Sequence, residues 1–403
     1  MKDILKIIVT LGDRTVGTVQ MTPERDRSVF EYDKDWISDG FSISPLELPL
    51  QTGLFFSKEN SFNGGFAAFE DSLPDGYGLY LLDRMLRREG SSLAVLSPLQ
   101  SLSLVGSSGM GALCYKPEAK APAAPAIAEG DFDELQRKAL DVLSEKSDTD
   151  ASLLYYNSNN SGGARPKAIF KAGDGSDWLV KFRHIYDPSD IGRIEYLYMN
   201  TAKKCGIVIP EIRLFNDRFF AIKRFDIREG KRIHTLTAAA LLQSDFRSRN
   251  VDYMNLLALT GYLTQDAAQV EQMFRRMVFN VVCRNRDDHA KNFSFLCEEG
   301  KWSLAPAYDI TYSAAGTNGE HSTSVNYAGH PSREDMIAAG TGIRIPRKRC
   351  IDIIDEVIAI CETELDKALV REHAARLPDG EPRDAVNFIS RQTPKQPGSG
   401  RRT

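Results

Sequence analysis

Two acidic residues and an asparagine follow a strongly apolar segment of the chain. Asp287 lies five residues before Asn292, and Asp309 follows Asn292 by seventeen residues. A carboxylate such as Asp287 can accept the proton of a substrate hydroxyl. The side-chain oxygens of Asn292 and Asp309 are hard ligands, and Mg²⁺ usually takes one or two carboxylates together with phosphate oxygens. The spacing therefore predicts phosphoryl transfer assisted by a magnesium ion.

The segment from Asn285 to Asn292 resembles the protein-kinase catalytic loop His-Arg-Asp-x-x-x-x-Asn, with Asn285 in place of the His. Asp309 stands where kinases have the metal-binding Asp of Asp-Phe-Gly. Plainer interpretations exist, because Asp287 and Asp288 also suit a solvated helix C-terminus and Asp309 suits a turn cap. The order of these residues, after a candidate lysine and glutamate, favours the catalytic interpretation.

The candidate lysine is Lys181, in the otherwise apolar stretch from Trp178 to Phe182, which resembles the Val-Ala-Ile-Lys strand of kinases. A lysine in a strand is also typical of a sheet edge, or of a side chain that extends along apolar surface to water. Glu195, on the next predicted helix, would pair with Lys181. The alternative for Glu195 is a surface position.

A glycine-containing segment precedes the Lys181 strand and is the candidate phosphate loop. It runs Gly162-Gly163-Ala164-Arg165-Pro166-Lys167 and is neither a Walker A motif nor the kinase Gly-x-Gly-x-x-Gly. Adjacent glycines let backbone N–H groups turn towards an anion, and Arg165 and Lys167 add positive charge. A flexible turn is the alternative. The position of the segment before the Lys181 hairpin favours phosphate binding.

Composition indicates a soluble, multi-unit protein. The chain has 403 residues, of which 42% are hydrophobic and 26% charged, and its formal net charge is −4. This length predicts two or three packed units, and the charge argues against a surface built to neutralise phosphates. We find no signal peptide and no apolar stretch of membrane-spanning length. Six cysteines without a Cys-x-x-Cys pair indicate reduced, mostly buried thiols. The predicted location is the cytoplasm.

Residue patterns predict the strands that would position the candidate loop. Alternating apolar and polar residues predict a β-meander over residues 3–33. Gly173-Asp174-Gly175 predicts the turn of a hairpin that contains Lys181, and Asn216-Asp217 predicts the turn of a second hairpin.

Helices are predicted from capping residues and from apolar spacing. Asp187 is predicted to cap a helix that stops at Gly206. Apolar residues at i, i+3 and i+4 between Val270 and Val282 predict a buried helix directly before the catalytic loop.

We predict an α+β protein with a bilobal, protein-kinase-like fold: a β-rich N-lobe, a helical C-lobe and an appended N-terminal β-rich subdomain. The predicted boundaries are 1–116 for the subdomain, 117–130 for an Ala- and Pro-rich linker, 131–230 for the N-lobe, 231–390 for the C-lobe and 391–403 for a basic, disordered tail.

Several segments together resemble the HipA family, and the resemblance covers most of the chain. They are Phe69 to Gly76, Gly162 to Lys167, Trp178 to Phe182 followed by Ile194-Glu195-Tyr196, Arg224-Phe225-Asp226, Asp287 to Asn292 and Pro306 to Asp309. Their common order is more specific than any one of them.

The resemblance implies an ATP-dependent Ser/Thr kinase with Asp287 as its catalytic base. It implies that Asn292 and Asp309 hold Mg²⁺ and that Lys181 contacts the α- and β-phosphates. Residues 223–225 would meet the adenine through backbone groups. The positions that it places at or near the nucleotide are Lys223, Arg224, Phe225, Asp226, His289, Ala290, Lys291, Tyr308, Asp309, Ile310 and Thr311.

The resemblance also implies partners. Well-known members of the family phosphorylate an aminoacyl-tRNA synthetase, halt translation and are restrained by a small helix-turn-helix antitoxin, through which DNA would be contacted indirectly. The family usually has an autophosphorylated Ser where this chain has Asn160. Self-inactivation is therefore predicted to be absent or moved to Ser158 or Ser161.

Two other functions remain open from the sequence. A lipid or small-metabolite kinase has a similar loop, but the two modest basic clusters, Arg344 to Arg349 and the tail, offer little for a membrane surface. A pseudokinase or DNA-bound corepressor is disfavoured because the lysine and both aspartates are present.

Overall fold

The computed structural model describes residues 4–58, 62–119, 127–158, 162–245, 247, 250–313 and 319–365. Much of the predicted linker and all of the basic tail lie outside these residues. The chain divides into two compact units. The first comprises Met1–Arg193, Pro210–Ser248 and Ala290–Pro306, and the second comprises Ile194–Ile209, Arg249–His289 and Ala307–Thr403.

Strands and helices are interspersed along the described residues. The strands are β1 (Lys6–Leu11), β2 (Arg14–Met21), β3 (Ser28–Tyr32), β4 (Leu54–Phe56), β5 (Leu113–Lys116), β6 (Lys167–Lys171), β7 (Asp177–Lys181), β8 (Ile212–Phe215), β9 (Phe219–Lys223), β10 (Ile227–Arg228), β11 (Lys231–Arg232), β12 (His234–Thr237), β13 (Ser294–Glu298) and β14 (Lys301–Leu304). The helices are α1 (Lys34–Asp39), α2 (Ala67–Glu70), α3 (Gly76–Arg88), α4 (Pro98–Val105), α5 (Phe132–Leu143), α6 (Ala151–Ser158), α7 (Ile191–Lys204), α8 (Ala238–Leu241), α9 (Tyr253–Thr264), α10 (Ala267–Val282), α11 (Arg333–Gly342) and α12 (Arg347–Glu364).

The first unit begins with a five-stranded antiparallel sheet of order β4-β3-β2-β1-β5. In β1, Ile7 and Val9 are buried while Lys6 and Ile8 are exposed, because successive side chains of a strand point to opposite faces. The predicted β-meander is confirmed by β1, β2 and β3.

A second antiparallel sheet of the first unit has the order β6-β7-β9-β8 and contains both predicted hairpins. The turn between β8 and β9 has positive φ at Asn216 and at Asp217, a conformation that Asn and Asp tolerate better than most residues. Lys181 ends β7, opposite Lys167 of β6. Both hairpin predictions are confirmed.

The second sheet shares one apolar core with helices α3, α5 and α6. Tyr77 and Leu81 of α3 are buried in this core, as are Phe132 of α5, Leu154 of α6 and Trp178 of β7. Burying such side chains stabilises the fold by about 1.5–3 kcal/mol each. Helix α3 begins at the last residue of the Leu-Pro-Asp-Gly turn, Leu73 to Gly76. It is thereby packed into the same core as the sheet that carries Lys181.

A third sheet, of order β12-β13-β14, places His234 in the interior of the first unit. Its Nε2 donates a hydrogen bond to the Ile43 carbonyl at 2.7 Å, and the rings of Phe41 and Trp302 lie beside it. Within the described residues, His234 Nδ1 is buried without a hydrogen-bond partner. Burial lowers the pKa of His234 to about 4, although the bond to Ile43 acts in the opposite direction.

We therefore expect His234 to make the protein less stable in acid. An unfolded chain binds a proton at His234 near its ordinary pKa, whereas the folded chain resists protonation down to about pH 4. The free energy of unfolding should fall by about 2 kcal/mol from this group between about pH 7 and about pH 5. Urea unfolding of wild type and His234→Gln at both pH values measures this fall in the free energy of unfolding. Equal losses in the two proteins would contradict the assignment to His234.

The second unit is mostly helical. Helix α10 packs against α9 and α12, and Met273, Phe274, Met277 and Val278 on it are fully buried. The predicted buried helix is confirmed. The carboxylate of Asp266 accepts a hydrogen bond from the Ala268 N–H and so caps the start of α10.

Helix α7 begins at Ile191, so the prediction that Asp187 caps it is wrong. Asp187 instead accepts hydrogen bonds from the Arg165 guanidinium at 2.9 and 3.1 Å and from the His184 N–H at 2.8 Å. A bidentate pair with Arg is stronger than a neutral backbone cap, and it holds Asp187 away from the helix. The predicted end of the helix is confirmed, because α7 stops at Lys204 and Gly206 has φ +76°.

None of the described helices is both long enough and apolar enough to cross a membrane.

Candidate active site

The predicted site residues fall in both units. The first unit holds the candidate phosphate loop, Lys181, residues 223–226 and Ala290 to Asn292, whereas the second holds Glu195, Asp287, His289 and Tyr308 to Thr311. The combined roles that the sequence predicts for them remain predictions.

In the first unit, side chains of the candidate phosphate loop hold the loop in place. Lys167 is buried, and its Nζ donates a hydrogen bond back to the Gly162 carbonyl. Arg165 donates hydrogen bonds from Nε and Nη2 to the two carboxylate oxygens of Asp187. Pro166 is buried, while Gly162 and Ala164 are exposed. The loop is therefore a fixed turn whose exposed face consists of backbone and small side chains, as a phosphate site requires.

The loop is also held by the residues that begin α3. Asp75 Oδ1 accepts a hydrogen bond from the Gly163 N–H at 2.5 Å, and the Tyr77 N–H donates to the Gly163 carbonyl at 3.0 Å. A Cβ on Gly76 would lie 2.5 Å from that carbonyl oxygen, and the φ of Gly76 is +43°. Only glycine fits at position 76 without displacing the loop.

Asp75 joins the candidate phosphate loop to Lys291, four residues after Asp287. Its Oδ2 accepts a hydrogen bond from Lys291 Nζ at 2.8 Å. Burial acts to raise the pKa of Asp75, but Lys291 and the Gly163 N–H outweigh burial and lower it. Asp75 is therefore ionised at neutral pH. Nearby Glu70 differs, because burial raises its pKa to about 7 despite the charges of Lys291 and Arg247.

Lys181 ends a central strand of the second sheet and is partly buried. Its Nζ lies 5.8 Å from the centre of the Phe220 ring, within range of a cation–π interaction. Strand β7 has neighbours on both sides, β6 and β9, so the alternative of a sheet-edge lysine is wrong. In the second unit, Glu195 is buried, so the alternative of a surface glutamate is also wrong.

The Arg224-Phe225-Asp226 segment follows β9, which ends at Lys223. Arg224 and Asp226 form a buried, bidentate ion pair, with N···O distances of 3.0 and 2.6 Å. Asp226 Oδ2 also accepts a hydrogen bond from the Gly111 N–H at 3.0 Å. The side chains of this segment therefore join it to a distant part of the first unit, while Phe225 stays partly exposed. Sequence reasoning had not found this ion pair.

The two adjacent acids of the catalytic-loop segment differ in exposure. In the second unit, 53% of the Asp287 side chain is exposed, and its Oδ1 lies 3.9 Å from His289 Nε2. The Asp288 side chain is completely buried. A solvated position thus fits Asp287 but is wrong for Asp288.

Asp288 is held by hydrogen bonds from several donors. Its Oδ2 accepts from the Tyr253 hydroxyl and from His321 Nδ1, both at 2.9 Å, and its Oδ1 accepts from the Ser322 N–H at 2.9 Å. The Asn280 side-chain amide in turn donates to the Tyr253 hydroxyl at 2.9 Å. This network fixes the backbone directly beside Asp287.

Asp309 has a left-handed backbone conformation, with φ +56°, which is uncommon outside glycine. Tyr308 and Asp309 are partly buried, whereas Ile310 and Thr311 are buried. Residues held in this region of φ often lie at functional sites.

The donor types of the predicted metal ligands suit magnesium. Across the described ranges, no group of three or more His, Cys, Asp or Glu side chains is arranged to hold a metal ion. Mg²⁺ does not need such a group, because it keeps several waters and binds through one or two protein oxygens plus substrate phosphates. The oxygens of Asn292 and Asp309 fit that chemistry.

Of the predicted autophosphorylation sites, only Ser158 is described. It ends α6, is buried and donates a hydrogen bond from its hydroxyl to the Tyr155 carbonyl at 2.8 Å. Asn160 and Ser161 lie outside the described residues. Modification of Ser158 or Ser161 remains a prediction.

Comparison with known families identifies both parts of the chain. Residues 7–116 match the HipA N-terminal domain and residues 160–365 match the HipA-like C-terminal domain. The two matches define a protein in which a HipA N-terminal domain precedes a HipA-like C-terminal domain. The chain belongs to the HipA family, as its motifs predicted.

Two relatives are similar at low identity. A Sinorhizobium fredii (strain NBRC 101917 / NGR234) protein named as an inferred kinase, Y4dM, is 24% identical over 209 residues, which is 46% of this chain and 51% of that protein. The match thus spans about half the length of that relative. The Shewanella oneidensis protein named serine/threonine-protein kinase toxin HipA is 22% identical over 339 residues, which is 76% of this chain and 75% of that protein.

The fold is shared with a solved structure, the Shewanella oneidensis MR-1 complex of HipA, HipB and operator DNA. The TM-score is 0.68 at 18% sequence identity, and the match covers 96% of this chain and 94% of that chain. The predicted fold class, α+β with a protein-kinase-like β-rich N-lobe, a helical C-lobe and an N-terminal β-rich subdomain, is confirmed by this likeness.

Proposed function

We propose that this protein is an ATP- and Mg²⁺-dependent Ser/Thr protein kinase that acts as a toxin. Its membership of the HipA family and the relatives named as kinases support the proposal. The observation that carries it is the contrast between exposed Asp287 and buried Asp288. A general base must be reachable by its substrate and held in a fixed orientation, and the Asp288 network supplies that fixed backbone.

In the proposed reaction, Asp287 accepts the proton of a substrate Ser or Thr hydroxyl. The hydroxyl oxygen then forms a bond to the γ-phosphorus as the bond from that phosphorus to the β-γ bridging oxygen breaks, and ADP leaves. Charge on the transferring group is the main obstacle, so positioning and electrostatic stabilisation supply most of the catalysis.

The adenine and the α- and β-phosphates would be contacted by residues of the first unit. Lys181 would contact the α- and β-phosphates, the loop from Gly162 to Lys167 would present backbone N–H groups, and residues 223–225 would meet the adenine. Asn292 and Asp309 are the proposed oxygen donors to Mg²⁺, which would neutralise phosphate charge when bound. Glu195 is the proposed partner of Lys181.

The proposed substrate is a translation-related protein such as an aminoacyl-tRNA synthetase. The proposed restraint is a small helix-turn-helix antitoxin, with DNA contacted through it, and the proposed location is the cytoplasm. The likeness to a HipA structure solved with HipB and operator DNA supports a partner of the HipB type. The name of the Shewanella relative supports the toxin role.

Phosphoryl transfer from labelled ATP tests the proposal. A cell lysate is incubated with the protein and Mg²⁺, beside the Asp287→Asn variant and a reaction containing a magnesium chelator. We expect one protein band to be labelled by wild type and lost in both controls. Mass spectrometry of that band would identify the substrate.

Other outcomes would point to other functions. Label transferred to lipid vesicles but not to protein would favour a lipid kinase. ATP binding without any transfer would favour a regulatory pseudokinase or corepressor. An absence of ATP binding by folded wild type would remove the basis of the proposal.

A further inference from the structure

The Leu-Pro-Asp-Gly turn before α3 has no part in the proposed reaction, yet it contacts the candidate phosphate loop directly. The turn belongs to the region that matches the HipA N-terminal domain, whereas the loop belongs to the region that matches the HipA-like C-terminal domain. Asp75 and the loop are both in the first unit. A residue of one domain therefore touches the candidate nucleotide site of the other.

The two oxygens of Asp75 have different partners. Oδ1 accepts from the Gly163 N–H at 2.5 Å, and Oδ2 accepts from Lys291 Nζ at 2.8 Å. The Gly163 carbonyl accepts from the Tyr77 N–H at 3.0 Å, so both backbone polar groups of Gly163 bond to the start of α3. One carboxylate thus sets the separation between the loop and Lys291.

The charges of Asp75 and Lys291 are opposite and lie next to each other. The Asp75 side chain is only 9% exposed and the Lys291 side chain 19% exposed, so the attraction between the two charges is weakly screened by water. The charge of Lys167 also favours ionised Asp75. Burial raises the pKa of the neighbouring Asp71, and Asp75 adds to that rise, while Lys291 acts to lower it. The two side-chain oxygens of Asp71 accept hydrogen bonds from the N–H and the hydroxyl of Thr237, both at 2.7 Å. Of these two acids, Asp75 is the one bonded to the loop.

We propose that Asp75 is a positioning residue for nucleotide binding, through which the N-terminal domain holds the phosphate loop and Lys291 of the C-terminal domain in their binding arrangement. This inference rests on the proposed ATP-dependent function. It predicts that nucleotide affinity in the C-terminal domain depends on a side chain of the N-terminal domain.

The Asp75→Asn variant tests the inference, because it preserves shape but removes the charge that holds Lys291. Titration calorimetry with Mg-ATP should show affinity reduced by about tenfold or more, since the charge-assisted contact that holds Lys291 beside the loop is lost. The kcat at saturating ATP should stay within about threefold of wild type, because Asp287 is untouched. A purely structural role would lower the unfolding temperature without this split between KM and kcat.

Asp71→Asn is the matched control, because the Asp71 carboxyl group is hydrogen-bonded to Thr237 and not to the loop. It should bind ATP as wild type does, even if its unfolding temperature falls. Asp75→Glu keeps the charge and should recover part of the affinity. If Asp75→Asn does not fold, Asp75→Glu carries the test, with a smaller loss of affinity expected from its longer side chain.

The results separate this inference from the proposed function. Folded Asp75→Asn that binds ATP as tightly as wild type, or more tightly, overturns the positioning role and leaves the kinase proposal intact. If Asp75→Glu is the variant tested, unchanged ATP affinity in it would also overturn the positioning role. Wild type that binds no ATP overturns both.

Discussion

Replacing Asp287 by asparagine should lower kcat by about 10²–10⁴-fold, because an amide cannot accept the proton of the substrate hydroxyl. Nucleotide binding should change little, since the proposed phosphate contacts lie in the first unit at Lys181 and the loop from Gly162 to Lys167. The unfolding temperature should also change little, because the Asp287 side chain is half exposed. Transfer of label from ATP to the substrate, and calorimetric titration with ATP, measure the two effects separately.

His289→Asn is a useful comparison for this prediction. His289 Nε2 lies 3.9 Å from Asp287 Oδ1, too far for a direct hydrogen bond, so its removal should cost less activity than removal of Asp287. A loss of ATP binding in folded Asp287→Asn would contradict the assignment of Asp287 as the base. Full activity in that variant would contradict it equally.

The elements that the sequence predicted correctly are those specified by local pattern. The alternation in β1, the Asn216-Asp217 turn and the apolar face of α10 each depend on residues a few positions apart, so the pattern itself contains the information. The motif order likewise predicted the family, because six segments had to match together.

The contacts that the sequence did not predict join distant residues. Asp75 and Gly163 are 88 positions apart, and Gly111 and Asp226 are 115 apart. Tertiary packing brings these pairs together, and no periodicity specifies which carboxylate will meet which N–H. The error at Asp187 has the same origin, because a local capping rule was overridden by an ion pair with Arg165, 22 positions away.

Asp287 and Asp288 show the same limit at a single site. The two residues are chemically identical neighbours, and the family motif Asp-x-His-x-Lys-Asn names only the first. Burial of the second depends on Tyr253 and His321, which lie 35 and 33 positions away. The same alanine substitution should therefore affect mainly activity at position 287 and mainly stability at position 288.

Asp288→Ala should destabilise the protein by about 3–5 kcal/mol, whereas Asp287→Ala should change its stability by less than about 0.5 kcal/mol. The alanine at position 288 removes the acceptor that Asp288 provides to the Tyr253 hydroxyl, His321 Nδ1 and the Ser322 N–H. Urea unfolding of both variants beside wild type, followed by tyrosine fluorescence and by circular dichroism, measures the difference.

The pair of variants also tests how the catalytic-loop segment is built. Asp287→Ala should be stable and inactive, since it loses the base and keeps the network. Asp288→Ala should lose activity only because the backbone beside Asp287 is no longer held in place. Cooling or a stabilising osmolyte should therefore restore part of the activity. If Asp288→Ala were as stable as wild type, the buried hydrogen bonds would not be what holds Asp287 in place. The adjacent alanine substitutions thus separate the group proposed to react from the group that positions it.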